Sequence, residues 1–271
     1  MTARFTYRSP ALRAELHELL AEHGKDARVM AGGTDVMIDL RAGFSQPKVL
    51  VDLKNVEGFS DISWSHDEGL IIRPGVSIND VIEHPKIRES YSLLVDCGKD
   101  LASHQIRNRA TVIGNVVNAS PCADMSPALL CLGASAVITS SAGRRVVPFT
   151  EFFTGVKRTV LQPDEILEEI IVPAETADAR GFYCKLKRIQ GHDLGIVGVA
   201  GMNKDGVLRL GISSCAPTPL LVEGLSTADS DDAVVAAAAH AVSPISDLRC
   251  SKEYREHMVG VFVRRVLKEV A

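Results

Sequence analysis

Arg28-Val29-Met30-Ala31-Gly32-Gly33-Thr34-Asp35-Val36 changes its pattern in the middle, and that change decides the fold. Residues 28–31 read as a short strand. From residue 36 to 41 the apolar spacing is helical, and Gly43 supplies a stop. Two glycines lie between, so a strand passes through a tight turn into a helix. Glycines in such a turn let backbone N–H groups approach an anion, and the helix N-terminus adds a favourable dipole. A pyrophosphate is the natural guest, with Thr34 as a further hydroxyl donor. The stretch is neither G-x-G-x-x-G nor a Walker loop. Taken alone, it reads equally as a structural turn.

Working outward, Ser9-Pro10 reads as the N-cap and first position of a helix carrying Leu12, Leu16, Leu19 and Leu20, stopped by Gly24. Residues 49–53 form a second strand, so residues 1–56 make an α/β unit. A second unit spans 57–173. It has a strand at 69–73, helices at 79–83, 90–103 and 127–132, a hairpin pairing 136–139 with 145–148, and a strand at 168–172. A polar linker follows at 174–180. Residues 178–271 read as an α+β unit, with three antiparallel strands at 181–188, 195–203 and 207–215, then helices at 231–241 and 251–270. Asp205-Gly206 marks the hairpin between the last two strands.

Composition excludes several classes. The 271 residues are 46% hydrophobic and 24% charged, which is ordinary for a globular chain. A net charge of −4 provides no field that gathers nucleic acid. No apolar run reaches the roughly 20 residues of a membrane helix, and the N-terminus lacks the apolar core of a signal peptide, so a cytoplasmic protein is expected. The six cysteines form no C-x-x-C pair, which argues for reduced thiols rather than a zinc or iron–sulfur site. The histidines show no ligand spacing, and no nucleophile elbow stands out.

Residues 111–124 carry the second signal. Thr111, Gly114, Asn115, Asn118, Ser120 and Asp124 are interleaved with Val112, Ile113, Val116 and Val117. A heteroaromatic ring needs that mixture: donors and acceptors for its edge, apolar cover for its face. A polar loop satisfying its own backbone fits equally well. Arg107 and Arg109 read first as loop braces and second as phosphate contacts. Lys185 and Lys187 share one strand face, which is either solvated or turned toward a ligand.

Together the landmarks resemble a known family. They run in order: Ala31-Gly32-Gly33-Thr34-Asp35; Gln105-Ile106-Arg107-Asn108-Arg109-Ala110-Thr111; Gly114-Asn115, Asn118-Ala119-Ser120-Pro121 and Asp124; Lys185-Leu186-Lys187-Arg188; Ala216-Pro217-Thr218-Pro219; Ser246-Asp247-Leu248-Arg249 with Tyr254-Arg255. The chain resembles the FAD-binding medium subunit of the molybdenum hydroxylases, the group of xanthine, carbon monoxide and nicotinate dehydrogenases. The resemblance implies an α+β chain. Two α/β FAD-binding subdomains, similar to those of vanillyl-alcohol oxidase, are followed by a C-terminal α+β subdomain. It implies that Val29, Met30, Ala31, Gly32, Gly33, Thr34, Asp35 and Val36 wrap the FAD pyrophosphate. Thr111, Val112, Ile113, Gly114, Asn115 and Asp124 would line the flavin and its ribityl chain. Ile106, Ser120, Leu167 and Lys185 are further contacts implied in the same way.

The implied activity is electron transfer within an oxidoreductase complex. A large molybdopterin subunit oxidises substrate, a small subunit carries [2Fe-2S] clusters, and FAD on this chain passes electrons to NAD or another acceptor. The implied substrates are N-heterocycles of purine or nicotinate type, or aldehydes. No catalytic residue and no metal ligand is expected here. Two departures are visible. The family's Thr-Ile-Gly-Gly-Asn is Thr111-Val112-Ile113-Gly114-Asn115, which puts a β-branched side chain where backbone is expected to approach the flavin. Leu194 follows Asp193 where carbon monoxide dehydrogenases resemble one another in carrying Tyr, which argues against that branch. There is no cysteine-rich insertion, so no additional iron–sulfur cluster is expected. The alternatives are a stand-alone flavin oxidoreductase of the UDP-N-acetylenolpyruvoylglucosamine reductase type and a scaffold that has lost FAD.

Overall fold

A computed structural model describes residues 4–270; the part of the N-terminal leader reading that rests on Met1–Ala3 lies outside them. The chain begins β1(Thr6–Arg8), α1(Arg13–His23), β2(Ala27–Met30), α2(Val36–Ala42) and β3(Val49–Asp52). The three strands form a parallel sheet in the order β1-β3-β2. β3 lies in the centre and all four of its residues are buried, as its Val-Leu-Val run requires. Because the strands are parallel, their C-terminal ends share one edge, and Met30 aligns there with Asp52. The first helix starts at Arg13, later than Ser9-Pro10 implied. The Ser9 hydroxyl accepts from Asn55 Nδ2 at 2.9 Å instead of capping, which ties the loop after β1 to the loop after β3.

The middle of the chain runs β4(Ile62–Ser65), β5(Gly69–Ile72), α3(Ile78–Glu83), α4(Pro85–Ser90), α5(Ser92–Asp100), α6(His104–Arg107), α7(Val112–Val117) and α8(Met125–Cys131). It continues with β6(Ser135–Ser140), β7(Gly143–Pro148), α9(Phe149–Phe152), the short pair β8(Phe153–Gly155) and β9(Arg158–Thr159), and β10(Ile166–Val172). A five-stranded sheet is ordered β4-β5-β10-β6-β7. The helix expected at 90–103 is broken at Tyr91, whose φ of −133° and ψ of 46° separate α4 from α5. β4 was not foreseen; it pairs on the edge of β5.

The last part holds β11(Arg180–Leu186), β12(Val197–Lys204), β13(Val207–Ser213), β14(Leu220–Ser226), α10(Asp231–Ala241) and α11(Lys252–Val270). This sheet has four strands rather than the three expected. β14 hid because Gly224 sits at φ 76° and the register slips between Leu208 and Leu210, so the alternation of apolar residues is broken. One face of the sheet carries α10 and α11. The other lies on α5 and α8, with Gly211 so near that a side chain there would strike the Pro127 carbonyl. The middle and last parts of the chain are thereby joined through close backbone contact, and the polar residues near Asp124 sit at that junction.

Candidate functional site

The glycine turn emerges at the C-terminal edge of the parallel sheet, the usual ligand-binding edge of such sheets. Ala31, Gly32, Gly33 and Thr34 are all half-buried, so their backbone is neither packed away nor fully solvated. Gly33 has φ 79°, in the left-handed region that glycine tolerates. Gly32 faces the second loop: a Cβ there would overlap the carbonyl of Arg109. The two loops read separately from sequence are therefore one continuous wall. Among the described residues, the N–H groups of Ala31, Gly32 and Thr34 meet no protein acceptor. That donor set fits an anion. α2 has only seven residues, so these N–H groups matter more than a helix dipole.

The second loop is anchored from behind. Ile78 N donates to Ala110 O at 2.9 Å, Val112 N donates to Val76 O at 3.2 Å, and Thr111 bridges Ser77. Thr111 Oγ1 accepts from Gly114 N at 3.0 Å and so caps α7. Asn115 Oδ1 accepts from Met125 N at 3.3 Å and ties α7 to α8. Ser120 Oγ accepts from Cys122 N at 3.3 Å. Two short capped helices, α6 and α7, thus frame this loop. Ile113 is 4% exposed and points into the main core. Its side chain does not stand at the loop surface, so the departure from Gly need not displace a ligand.

Asp124, just before α8, and Lys185, on β11, meet where the middle and last parts of the chain pack together. The Lys185 ammonium straddles the carboxylate at 2.9 Å from either oxygen, with its side chain 2% exposed. It also donates to the Asp100 carbonyl at 3.1 Å, and its stem lies under Gly195. The Tyr183 hydroxyl donates to Asp124 Oδ1 at 3.0 Å. Burial pushes the Asp124 carboxyl above its ordinary value, opposed by Lys185 and by the Tyr183 hydroxyl. Burial also raises the Tyr183 hydroxyl and the nearby Cys97 thiol well above theirs. Lys187 lies on the same strand face and pairs with Asp100 at 2.8 Å, so neither lysine belongs to a solvated face.

Of the remaining expected residues, Ile106 packs half-buried against the main core. Leu167 is buried on β10 opposite Ile138 and offers little surface. Arg107 is a brace: it donates to Asn79 Oδ1, Lys99 O and Leu101 O. Arg109 is exposed, and its side chain has no partner among the described residues. Among the described residues no group of His, Cys, Asp and Glu is arranged to hold a metal ion.

Two family descriptions cover the chain. Residues 3–175 match the FAD binding domain in molybdopterin dehydrogenase, and residues 182–270 match the CO dehydrogenase flavoprotein C-terminal domain. The chain belongs to the FAD-binding medium subunits of the molybdenum hydroxylases. It is 33% identical to the carbon monoxide dehydrogenase medium chain of Hydrogenophaga pseudoflava, over 97% of this chain and 96% of the relative. It is 28% identical to a putative xanthine dehydrogenase FAD-binding subunit of Escherichia coli, over 97% and 95%. A solved carbon monoxide dehydrogenase from H. pseudoflava, lacking the Mo-pyranopterin moiety of its cofactor, superimposes with a TM-score of 0.93 at 31% identity, covering 100% of this chain and 98% of that one.

Membership in this family makes FAD the cofactor of the chain and the chain an oxidoreductase subunit. Similarity to the carbon monoxide dehydrogenase chain is no weaker than to the xanthine dehydrogenase subunit. The Ser246-to-Arg255 landmarks are structural. Arg249 grips Asp247 at 2.6 Å and reaches Gly195 O and Cys122 Sγ, while buried Arg255 reaches Asp247, Ile196 O and Ser214 O. These contacts stitch the C-terminal segment to the residues just before β12 and just after β13 and, through Cys122, to the loop after α7. Sequence reasoning missed Tyr183. Its signal was available, since it stands two residues before Lys185 on one strand and so shares its face.

Proposed function

We propose that FAD lies along the wall formed where Gly32 meets Arg109, with residues 29–36 around its pyrophosphate. Thr111, Val112, Ile113, Gly114, Asn115, Ser120 and Asp124 lie along the ribityl chain and ring, and Lys185 closes the far end. For buried Ile113 and Leu167 and half-buried Ile106, the contact would come from backbone or from a narrow edge of the side chain. The observation that carries the reading is the Gly32–Arg109 contact, which merges the two loops into one surface with unpaired N–H donors. Bound FAD supplies a carrier able to accept two electrons. The protein's part is to seat it: the glycine turn takes the anion, and the Asp124–Lys185 ion pair sets a fixed dipole beside the ring.

In this reading the subdomains divide at 1–56, 57–173 and 178–271. The chain works in the cytoplasm within a heterotrimer. It takes electrons from [2Fe-2S] clusters on a small subunit, after substrate is oxidised at the molybdopterin cofactor of a large subunit, and delivers them to NAD or another acceptor. The substrate is an N-heterocycle or an aldehyde, the former supported by relatives named for nicotine and caffeine. Among the described residues no helix is long and apolar enough to cross a membrane. The departure at Ile113 is the one feature that would favour a scaffold that has lost FAD, and the burial of that residue removes this support.

The test is flavin content. The purified chain should be yellow, bind one FAD that acid releases, and capture the two partner subunits on co-expression. A folded, colourless chain that cannot be reconstituted with FAD sinks the reading.

A further inference from the structure

Tyr183 and Lys185 point to the same face of β11, toward α5 and the turn before α8. The Tyr183 side chain is buried, and its hydroxyl reaches Asp124 Oδ1 at 3.0 Å. Gly198 makes room for it: a Cβ there would come within 2.7 Å of the hydroxyl oxygen. Lys185 holds both oxygens of the same carboxylate. Without the tyrosine, the carboxylate loses its second side-chain donor and is held by the Lys185 ammonium alone. We propose that Tyr183 is a positioning residue for the flavin seat, its hydroxyl fixing Asp124 and, through it, the Lys185 ammonium in the orientation that receives FAD. This rests on the reading that Asp124 and Lys185 border FAD.

The electrostatics give the role a signature. The groups facing Asp124 are Lys185 and Tyr183 from β11 and Asp100 and Cys97 from α5, with Asp96 and the α8 residue Cys131 beyond Cys97. Burial raises the Asp124 carboxyl, Asp100 adds to the rise, and Lys185 and Tyr183 hold it down. Burial also keeps the Tyr183 hydroxyl protonated, so it remains a donor throughout the working range. Removing the hydroxyl lets Asp124 take up a proton at higher pH. The ion pair, and FAD affinity with it, then fails earlier on acidification.

The experiment is a fluorescence titration of the full, flavin-stripped chain with FAD, from mildly acidic to mildly alkaline pH. The variants are Tyr183→Phe, Asp124→Asn and Tyr91→Phe, each checked for folding by circular dichroism. Tyr91 is a matched control, because it is also buried and bonds Pro173 O at 3.2 Å. Tyr183→Phe and Asp124→Asn should each weaken FAD binding by about tenfold, the scale of one hydrogen bond to a charged group. Tyr183→Phe should also move the acid limb of the affinity profile to higher pH, and Tyr91→Phe should match wild type. Gly198→Ala, whose Cβ would press on the Ser213 hydroxyl as well as on the Tyr183 hydroxyl, should act in the same direction. If Asp124→Asn weakens binding while Tyr183→Phe and Gly198→Ala keep wild-type affinity and pH profile, the Tyr183 role is overturned and the seat stands. If Tyr183→Phe weakens binding equally at every pH, its role is merely structural and the proposal fails. If Asp124→Asn itself binds FAD like wild type, the seat reading fails and takes the proposal with it.

Discussion

Gly32 lies so close to Arg109 that any Cβ on Gly32 would overlap the Arg109 carbonyl. Two loops more than seventy positions apart are held as one surface by the absence of a single carbon. Gly33, next in the chain, is required for another reason, its left-handed φ of 79°.

These two glycines should therefore fail differently. Gly32→Ala forces the loops apart; overpacking of this kind costs about 1–3 kcal/mol, and FAD occupancy should fall with it. Gly33→Ala strains only the turn, at about 1 kcal/mol, with a smaller loss of FAD. Thermal melting and bound FAD per chain read both. Equal behaviour of the two variants, or full FAD occupancy in Gly32→Ala, contradicts the shared wall.

Restoring the family's glycine at Ile113 should harm stability rather than help the cofactor. Ile113 fills the core beneath α7, so Ile113→Gly leaves a cavity and loosens the helix, at about 3 kcal/mol or more. Denaturant unfolding should show that loss, while FAD affinity of the folded chain stays at the wild-type value. Improved FAD binding in the variant would mean that the side chain obstructs the flavin after all.

Asp52 offers a pH test away from the flavin seat. Its carboxylate is buried; burial alone would raise its pKa, but the Tyr7 hydroxyl at 2.7 Å, the Lys54 amide and the Lys54 ammonium together bring it below the ordinary value. A depressed carboxyl stabilises the fold above its unfolded pKa of about 3.9, and that contribution disappears as pH falls through the lower folded value. Tyr7→Phe should cost about 1 kcal/mol at neutral pH, with the deficit vanishing in acid. A deficit of the same size at every pH would show that Tyr7 acts only through packing.

Arg255 is buried and bound to Asp247 and two carbonyls. Arg255→Met should destabilise the chain by about 3 kcal/mol, because those acceptors lose their donor inside the protein. Equilibrium urea unfolding checks this. Wild-type stability would show that the buried Arg255 contacts add nothing to the fold.

Much of the fold was legible. The strand–glycine–helix unit around residue 33, the hairpin at Asp205-Gly206 and helix α10 were read with nearly correct bounds, because local propensity and turn chemistry decide them. β1, β4 and β14 were missed. β1 and β4 are short edge strands with weak alternation, and β14 carries a bulge and a positive-φ glycine. Ser9 looked like a cap because its neighbours fit one, yet its hydroxyl serves Asn55 from the end of β3.

By itself, the order of landmarks from Ala31 to Arg255 determined the family, the cofactor class and the two glycine-bearing loops, since each is written in consecutive residues. Only the tertiary structure decided that Ile113 turns inward, that Arg107 braces while Arg109 stays free, and that Asp124, Tyr183 and Lys185 form one buried cluster. Those outcomes depend on which elements pack across the sheet junctions. Packing is settled by burial and backbone approach between residues far apart in sequence, which no local pattern records.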